Sequence, residues 1–160
     1  MRLHDVIHSV NKDLNGRAMS SDDMRTLTQI QNVVAVDWYM SLLKRGPFIG
    51  ANLALDDDDD QSGMGVEFIW MTPEQTVDEA LKAYPGRLVL KLGLLPIGMC
   101  AEGTGDPYFL DLRGDFNEDP PLVRVPHDFA GGGDSYPLDK IEKISDHLSE
   151  FLRLSKIEDG

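Results

Sequence analysis

Leu3, Val6, Ile7, Val10 and Leu14 recur at helical spacing, so the chain opens with an amphipathic helix, and Gly16 stands where its C-terminal cap would be. Ser21, followed by Asp22 and Asp23, marks the start of a second helix through Met24, Leu27 and Ile30. A third helical stretch covers residues 37–44, with Trp38 and Leu42 on one face, and Gly46-Pro47 ends it. The period then changes. Residues 51–55 and 66–71 predict short strands rich in apolar and aromatic side chains. Between that second strand and residue 85 the pattern turns helical again: Thr72 caps, Pro73 fits the first position and Gln75 closes a capping box. Val77, Ala80 and Leu81 form the apolar face of this helix, and Pro85-Gly86 stops it. Three more strands are predicted near 88–93, 107–112 and 121–126. In the middle one Tyr108, Leu110 and Leu112 point one way, while Phe109 and Asp111 point the other. Leu138, Ile141, Ile144, Leu148, Phe151 and Leu152 then fall on a helical stripe, which fits one long helix or one that begins at a Ser145 cap.

Short strands in succession, joined by tight turns, imply an antiparallel meander and exclude alternating βαβ units. The expected fold is α+β. A twisted antiparallel sheet of about five to six strands is packed by N-terminal helices, a middle helix and a C-terminal helix.

At 160 residues the chain is most simply one domain, 1–160, with a helical N-terminal extension over 1–32. An apolar content of 41% suits a soluble globular protein, and no window holds the roughly 20 apolar residues of a membrane helix. The opening residues lack the features of a signal peptide, and one cysteine, Cys100, leaves no internal disulfide. A cytoplasmic location is expected. The net charge of -13 is unevenly spread: residues 1–50 hold five acidic side chains and six Lys or Arg, while 51–160 hold 23 acidic against nine basic. Nucleic acid is therefore not an expected partner, because phosphate binding needs clustered Lys and Arg. A basic protein partner is permitted, and the same charge would steer its encounter; the alternative is that the acidity serves only solubility.

Candidate chemistry is sparse. Cys100, His127 and Asp128 are residue types of a thiol nucleophile and its base, but nothing in their spacing brings them together, and Cys100 reads as a small buried hydrophobe. His4 and His8 lie one helical turn apart, too few ligands for a metal site. The run Asp56–Asp60 lacks the ligand spacing of a calcium loop and reads as a solvated loop of mutually repelling carboxylates. Gly103-Thr-Gly-Asp106 lacks the Gly-Lys-Ser/Thr of a phosphate loop. Gly103 and Gly105 supply backbone freedom for a turn there, and Asp106 accepts a backbone hydrogen bond within it. No catalytic residue, metal or cofactor is expected.

One order of segments goes further. The turn Gly103-x-Gly-Asp106 runs into Tyr108-Phe-Leu-Asp111, then Leu122-Val-Arg-Val-Pro-His-Asp128, then Ile144 with Ser149-Glu-Phe-Leu152. Together with Val36-Asp-Trp-Tyr ahead of the first strand, this order resembles the SUKH superfamily over residues 33–155. That superfamily includes bacterial toxin-immunity proteins and yeast cell-wall-assembly regulators. The Leu-Pro pair that commonly introduces the helix before the first strand is replaced here by Val34-Ala-Val36, and the five-Asp insertion is not a family feature. The resemblance implies an α+β fold without catalytic residues, and a closing helix whose aromatic residue and leucine pack onto the sheet. It also implies a protein that binds and neutralises a secreted toxin, often a nuclease. The alternative it carries is a cytosolic regulatory module unrelated to toxins. Asp57, Asp58, Asp59 and Glu118 are the expected partner contacts, chosen for charge density and loop position.

Overall fold

In the computed structural model, which describes residues 2–101, 105–114, 118–130 and 133–158, the apolar spacing at the start forms helix α1, Leu3–Val10. Leu3, Val6 and Ile7 are buried on it, and a 3-10 turn carries the chain to buried Leu14. Gly16 is not the cap of this helix. Arg17 forms an isolated antiparallel bridge with Ile49, with N···O distances of 2.7 and 3.2 Å. A Cβ on Gly16 would come within 2.7 Å of the Phe48 carbonyl and closer to those of Pro47 and Ile49. The glycine is there for close backbone approach.

Helix α2, Ser21–Leu27, begins one residue earlier than its sequence signal, because Ser20 is the cap. The Ser20 hydroxyl accepts the Asp23 N–H at 3.1 Å, and the Asp23 carboxylate accepts the Ser20 N–H at 2.8 Å. The same carboxylate accepts from Arg17 at 2.7 Å, and chiefly this bond holds its pKa down at about 2. Helix α3, Val36–Leu43, buries Tyr39 and Leu42, while Trp38 is half-exposed. Tyr39 Oη accepts the Trp70 indole N–H at 2.7 Å, which satisfies two polar groups inside the core.

The sheet has seven antiparallel strands: β1 Asn52–Leu55, β2 Val66–Trp70, β3 Leu94–Cys100, β4 Tyr108–Asp111, β5 Leu122–Arg124, β6 Glu142–Ser145 and β7 Lys156–Ile157. Their order is β6-β5-β4-β3-β2-β1-β7. The first six form the expected meander. β7 adds to the free side of β1, and at two residues it is too short to carry a periodic signal.

Helix α4, Pro73–Leu81, starts at the Thr72–Gln75 capping box read from the sequence. Its buried face is Thr76, Val77 and Ala80, whereas Leu81 is exposed. Two predicted elements are corrected. Residues 88–93 are helical: α5 spans Gly86–Val89, and a 3-10 turn follows through Leu92. The Gly86 N–H donates to the Glu79 carboxylate at 2.9 Å, so Pro85-Gly86 opens a helix instead of only closing one. Burial pushes the Glu79 pKa up. Gly93, at φ 98, ends this stretch, and the strand begins after it. The second correction lies near the end. Ile144 belongs to β6, and helix α6 is Leu148–Leu154, with His147 at the N-cap position but without a capping bond from its side chain. Pairing with β5 overrides the helical spacing of residues 138–144.

Both faces of the sheet are covered. On one, Leu53, Phe68, Trp70, Tyr108, Leu110, Leu122 and Ile144 join Phe151 and Leu152 of α6 and the apolar faces of α1 to α4. On the other, Leu94, Phe109, Val123 and Val125 pack with Leu88, Val89, Ala130 and Tyr136. The alternation read along β4 sorts its residues between these two clusters.

Candidate functional site

Strand register decides which loops share an end of the sheet. Leu55 pairs with Val66, Phe68 with Cys100, and Tyr108 with Arg124. The β1–β2 loop, the β3–β4 turn and the exit of β5 therefore lie together. Leu94 pairs with Asp111, and Leu110 with Leu122, so the β4–β5 loop lies at the other end. Asp57–Asp59 and Glu118 consequently lie at opposite ends of the sheet. Glu118 takes φ 63, and among the described residues it is the one non-glycine with positive φ.

Asp57, Asp58 and Asp59 are exposed on a tight turn whose Asp59 and Asp60 N–H groups donate to the Asp56 carbonyl at 3.0 and 3.1 Å. Asp56 itself pairs with Lys156 at 3.1 Å. The fifth carboxylate behaves differently from the rest of the run. The Asp60 side chain has 0% exposure; it accepts from Ser62 N–H at 2.8 Å and from Ser62 Oγ–H at 2.7 Å, and lies 3.9 Å from Arg124. The expectation of a wholly solvated run fails at this residue because a buried cation waits for it.

Arg124 points inward from β5. It donates from Nη1 to Ser62 Oγ at 3.0 Å and to Glu142 at 3.1 Å, and from Nη2 to the Gly65 carbonyl at 2.8 Å. Its guanidinium lies over the Tyr108 ring, 5.3 Å from the centroid. Burial opposes its charge, but Tyr108, Glu142 and Asp60 outweigh that and raise its pKa. The Gln61 N–H meanwhile donates to the Ile144 carbonyl of β6 at 3.0 Å. The β1–β2 loop is thus a strap that crosses from one side of the curled sheet to the other, with the three exposed aspartates at its start. Under it lies a cavity of about 400 Å³ lined by Asp56, Asp57, Met64, Cys100, Tyr108 and Arg124, among others.

The His127 imidazole meets two carboxylates. Cys100 borders this cavity, and so does Asp106, which the His127 ring contacts through Nδ1; the ring also meets Asp128 through Nε2 at 3.2 Å. The bond to Asp106 raises the His127 pKa. Asp106 also accepts the His127 backbone N–H at 3.0 Å. This donor stands at the exit of β5, whereas the expected one lay within the 103–106 turn. Gly105 has φ 72, the left-handed conformation that its turn requires, while Gly103 lies outside the described residues. Among the described residues, chain neighbours aside, no atom lies within 4 Å of a Cβ built on Gly105. Gly105→Val is therefore expected to lose about 1 kcal/mol through backbone conformation alone, read as a melting point lower by about 2–4 °C. An unchanged melting point would refute that requirement.

His4 and His8 are exposed on α1, and among the described residues no three His, Cys, Asp or Glu side chains are grouped to hold a metal ion. No described helix is long and apolar enough to cross a membrane. Arg124, Asp60 and Glu142 escaped the sequence reading. The available signal was an arginine at an inward position of the apolar strand Leu122-Val-Arg-Val. No protein-family model matches this chain, and no curated protein or solved structure matches it either.

Proposed function

We propose that this chain is a non-enzymatic binding protein that holds a basic protein partner against Asp57, Asp58 and Asp59. The partner in this reading is a secreted toxin domain, such as a nuclease, which the chain neutralises. The observation that carries the proposal is the exposed acidic turn tied at its base to a buried arginine. None of the three aspartates has an ion pair among the described residues, so their field is directed outward. A turn held by Asp60, Gln61 and Ser62 is already ordered, which lowers the entropic cost of binding.

Occlusion is the mechanism. Carboxylates on the turn pair with the Lys and Arg that a nuclease uses for phosphate, and the substrate is excluded. The SUKH-like order of segments supports the toxin-neutralising form, and the α+β architecture is the one that resemblance implies. Register separates Glu118 from this face, so it serves as a control.

Changing Asp57, Asp58 and Asp59 together to Asn is expected to slow association with the basic toxin domain by about tenfold or more at low salt. It should also flatten the salt dependence, since the attraction is screened beyond about 8 Å at physiological ionic strength. Glu118→Gln should leave the rate unchanged. Stopped-flow association across salt concentrations, beside a co-expression protection assay with a basic secreted toxin domain sought in the neighbouring reading frame, provides the measurement. Full protection with unchanged association rates would remove the acidic turn from the mechanism. Failure of the wild type to bind or protect would favour the regulatory-module reading.

A further inference from the structure

The strap between β1 and β2 carries one methionine, and its surroundings set it apart. Met40 and Met71 are buried, and Met19, Met24 and Met99 are partly buried, whereas Met64 is 64% exposed. Its sulfur still touches the buried machinery of the strap, for Arg124 Nη1 approaches Met64 Sδ at 4.0 Å. The same guanidinium holds the strap through the Gly65 carbonyl at 2.8 Å and Ser62 Oγ at 3.0 Å. An open thioether therefore lies beside the buried cation that tethers its own segment. A thioether is a weak acceptor, so Arg124 gains little from it. A sulfoxide is polar and offers an oxygen in its place.

We infer that Met64 is a modification site: a peroxide-class oxidant converts it to the sulfoxide, whose oxygen takes an N–H of Arg124 and tightens the strap. A sulfur lone pair attacks one peroxide oxygen, the S–O bond forms as the O–O bond breaks, and the displaced hydroxide leaves as water after proton transfer. Sulfur is oxidised by two electrons and hydrogen peroxide is reduced by the same two. The added oxygen projects from Sδ and can close the 4.0 Å gap to hydrogen-bond range. Both N–H groups of Nη1 already serve Ser62 Oγ and Glu142. Ser62 is the partner that yields, because its hydroxyl keeps its own bond to Asp60 at 2.7 Å, while Glu142 brings a charge. The strap then gains a side-chain tether at the end away from Asp57–Asp59. The oxidation needs no protein partner, and methionine sulfoxide reductases reverse it.

The test adds dilute hydrogen peroxide to the full chain and follows the gain of one oxygen per peptide by digestion and mass spectrometry. Met64 should react about threefold or more faster than Met19, Met24 or Met99, since susceptibility follows exposure. In the oxidised protein, amide exchange over residues 61–65 should slow by about threefold or more, and the Arg124 side-chain N–H resonances should shift. Met64→Gln sets an amide oxygen near the place of the sulfoxide oxygen and should reproduce both changes without oxidant. Met64→Leu should show neither, before or after peroxide. Met64 is mostly exposed, and matching melting curves would show that both variants fold. Reaction of Met19, Met24 or Met99 at the rate of Met64 or above would overturn the site. Exchange that is unchanged or faster in the oxidised strap would overturn the tether to Arg124. Slowing that persists in peroxide-treated Met64→Leu would place the effect at another methionine and overturn the proposal as well.

Discussion

Arg124→Met is expected to cost about 3–5 kcal/mol of folding stability, because it leaves buried carboxylates without their cation. Asp60 has no exposed side-chain surface and Glu142 is only one-third exposed, so water cannot fully replace the guanidinium at either. The Gly65 carbonyl and the Ser62 hydroxyl lose a donor at the same time. Methionine fills much of the arginine stem's volume, so the loss reports charge and hydrogen bonding more than a cavity. Urea unfolding measures it. Asp60→Asn in the same chain should recover part of the loss, since a neutral amide is less costly to bury than an uncompensated carboxylate. Amide exchange in residues 56–65 should also rise more than in β1 or β2, because the strap has lost its tether. Stability within about 0.5 kcal/mol of wild type would show that the buried pair does not hold this end of the sheet.

Features that depend on neighbouring residues were legible in the sequence. The Thr72–Gln75 box is a local hydrogen-bonding pattern, and it forms as read, with bonds of 2.9 and 3.1 Å. The alternation from Tyr108 to Asp111 reports two covered faces, which the two apolar clusters supply. Features decided at long range were not legible. The run from Leu88 to Leu92 is apolar without a period, so strand and helix were equally compatible with it. Its helical form depends on a carboxylate from the preceding helix and on Gly93. Ile144 reads as helical until β5 is available to pair with it. The pentaspartate is the clearest case. Repulsion argues correctly that the run cannot be buried together, yet one member is buried because Arg124 lies 64 positions away along the chain. The same limit applies to the candidate contacts. Charge density placed Asp57–Asp59 and Glu118 in one group, and only the register shows that they lie at opposite ends.

Gly98→Ala is expected to destabilise the fold by about 1–3 kcal/mol or more, an unusual cost for one added methyl group. Gly98 sits beyond a register shift in β3, paired with Trp70 on one side and Tyr108 on the other. A Cβ there would come within 2.6 Å of Phe68 Cδ2, and closer to Cε2 and Cζ of the same ring. The ring has little room to retreat. Its centroid is 5.4 Å from Trp70, 5.3 Å from Tyr108 and 5.3 Å from Phe151, and Phe68 itself is fully buried. An interior packed to crystal-like density passes such a clash on to the backbone or to neighbouring rotamers. Phe68→Leu would remove the clashing ring at the cost of a partial cavity. The two substitutions together should therefore be less destabilising than the sum of the singles by about 0.5–3 kcal/mol, the range seen for residues in direct contact. Urea denaturation of both single variants and the double variant completes the cycle. Simple additivity would mean that the strand relaxes away from the ring, and that glycine at this position is not required by the aromatic cluster beneath it.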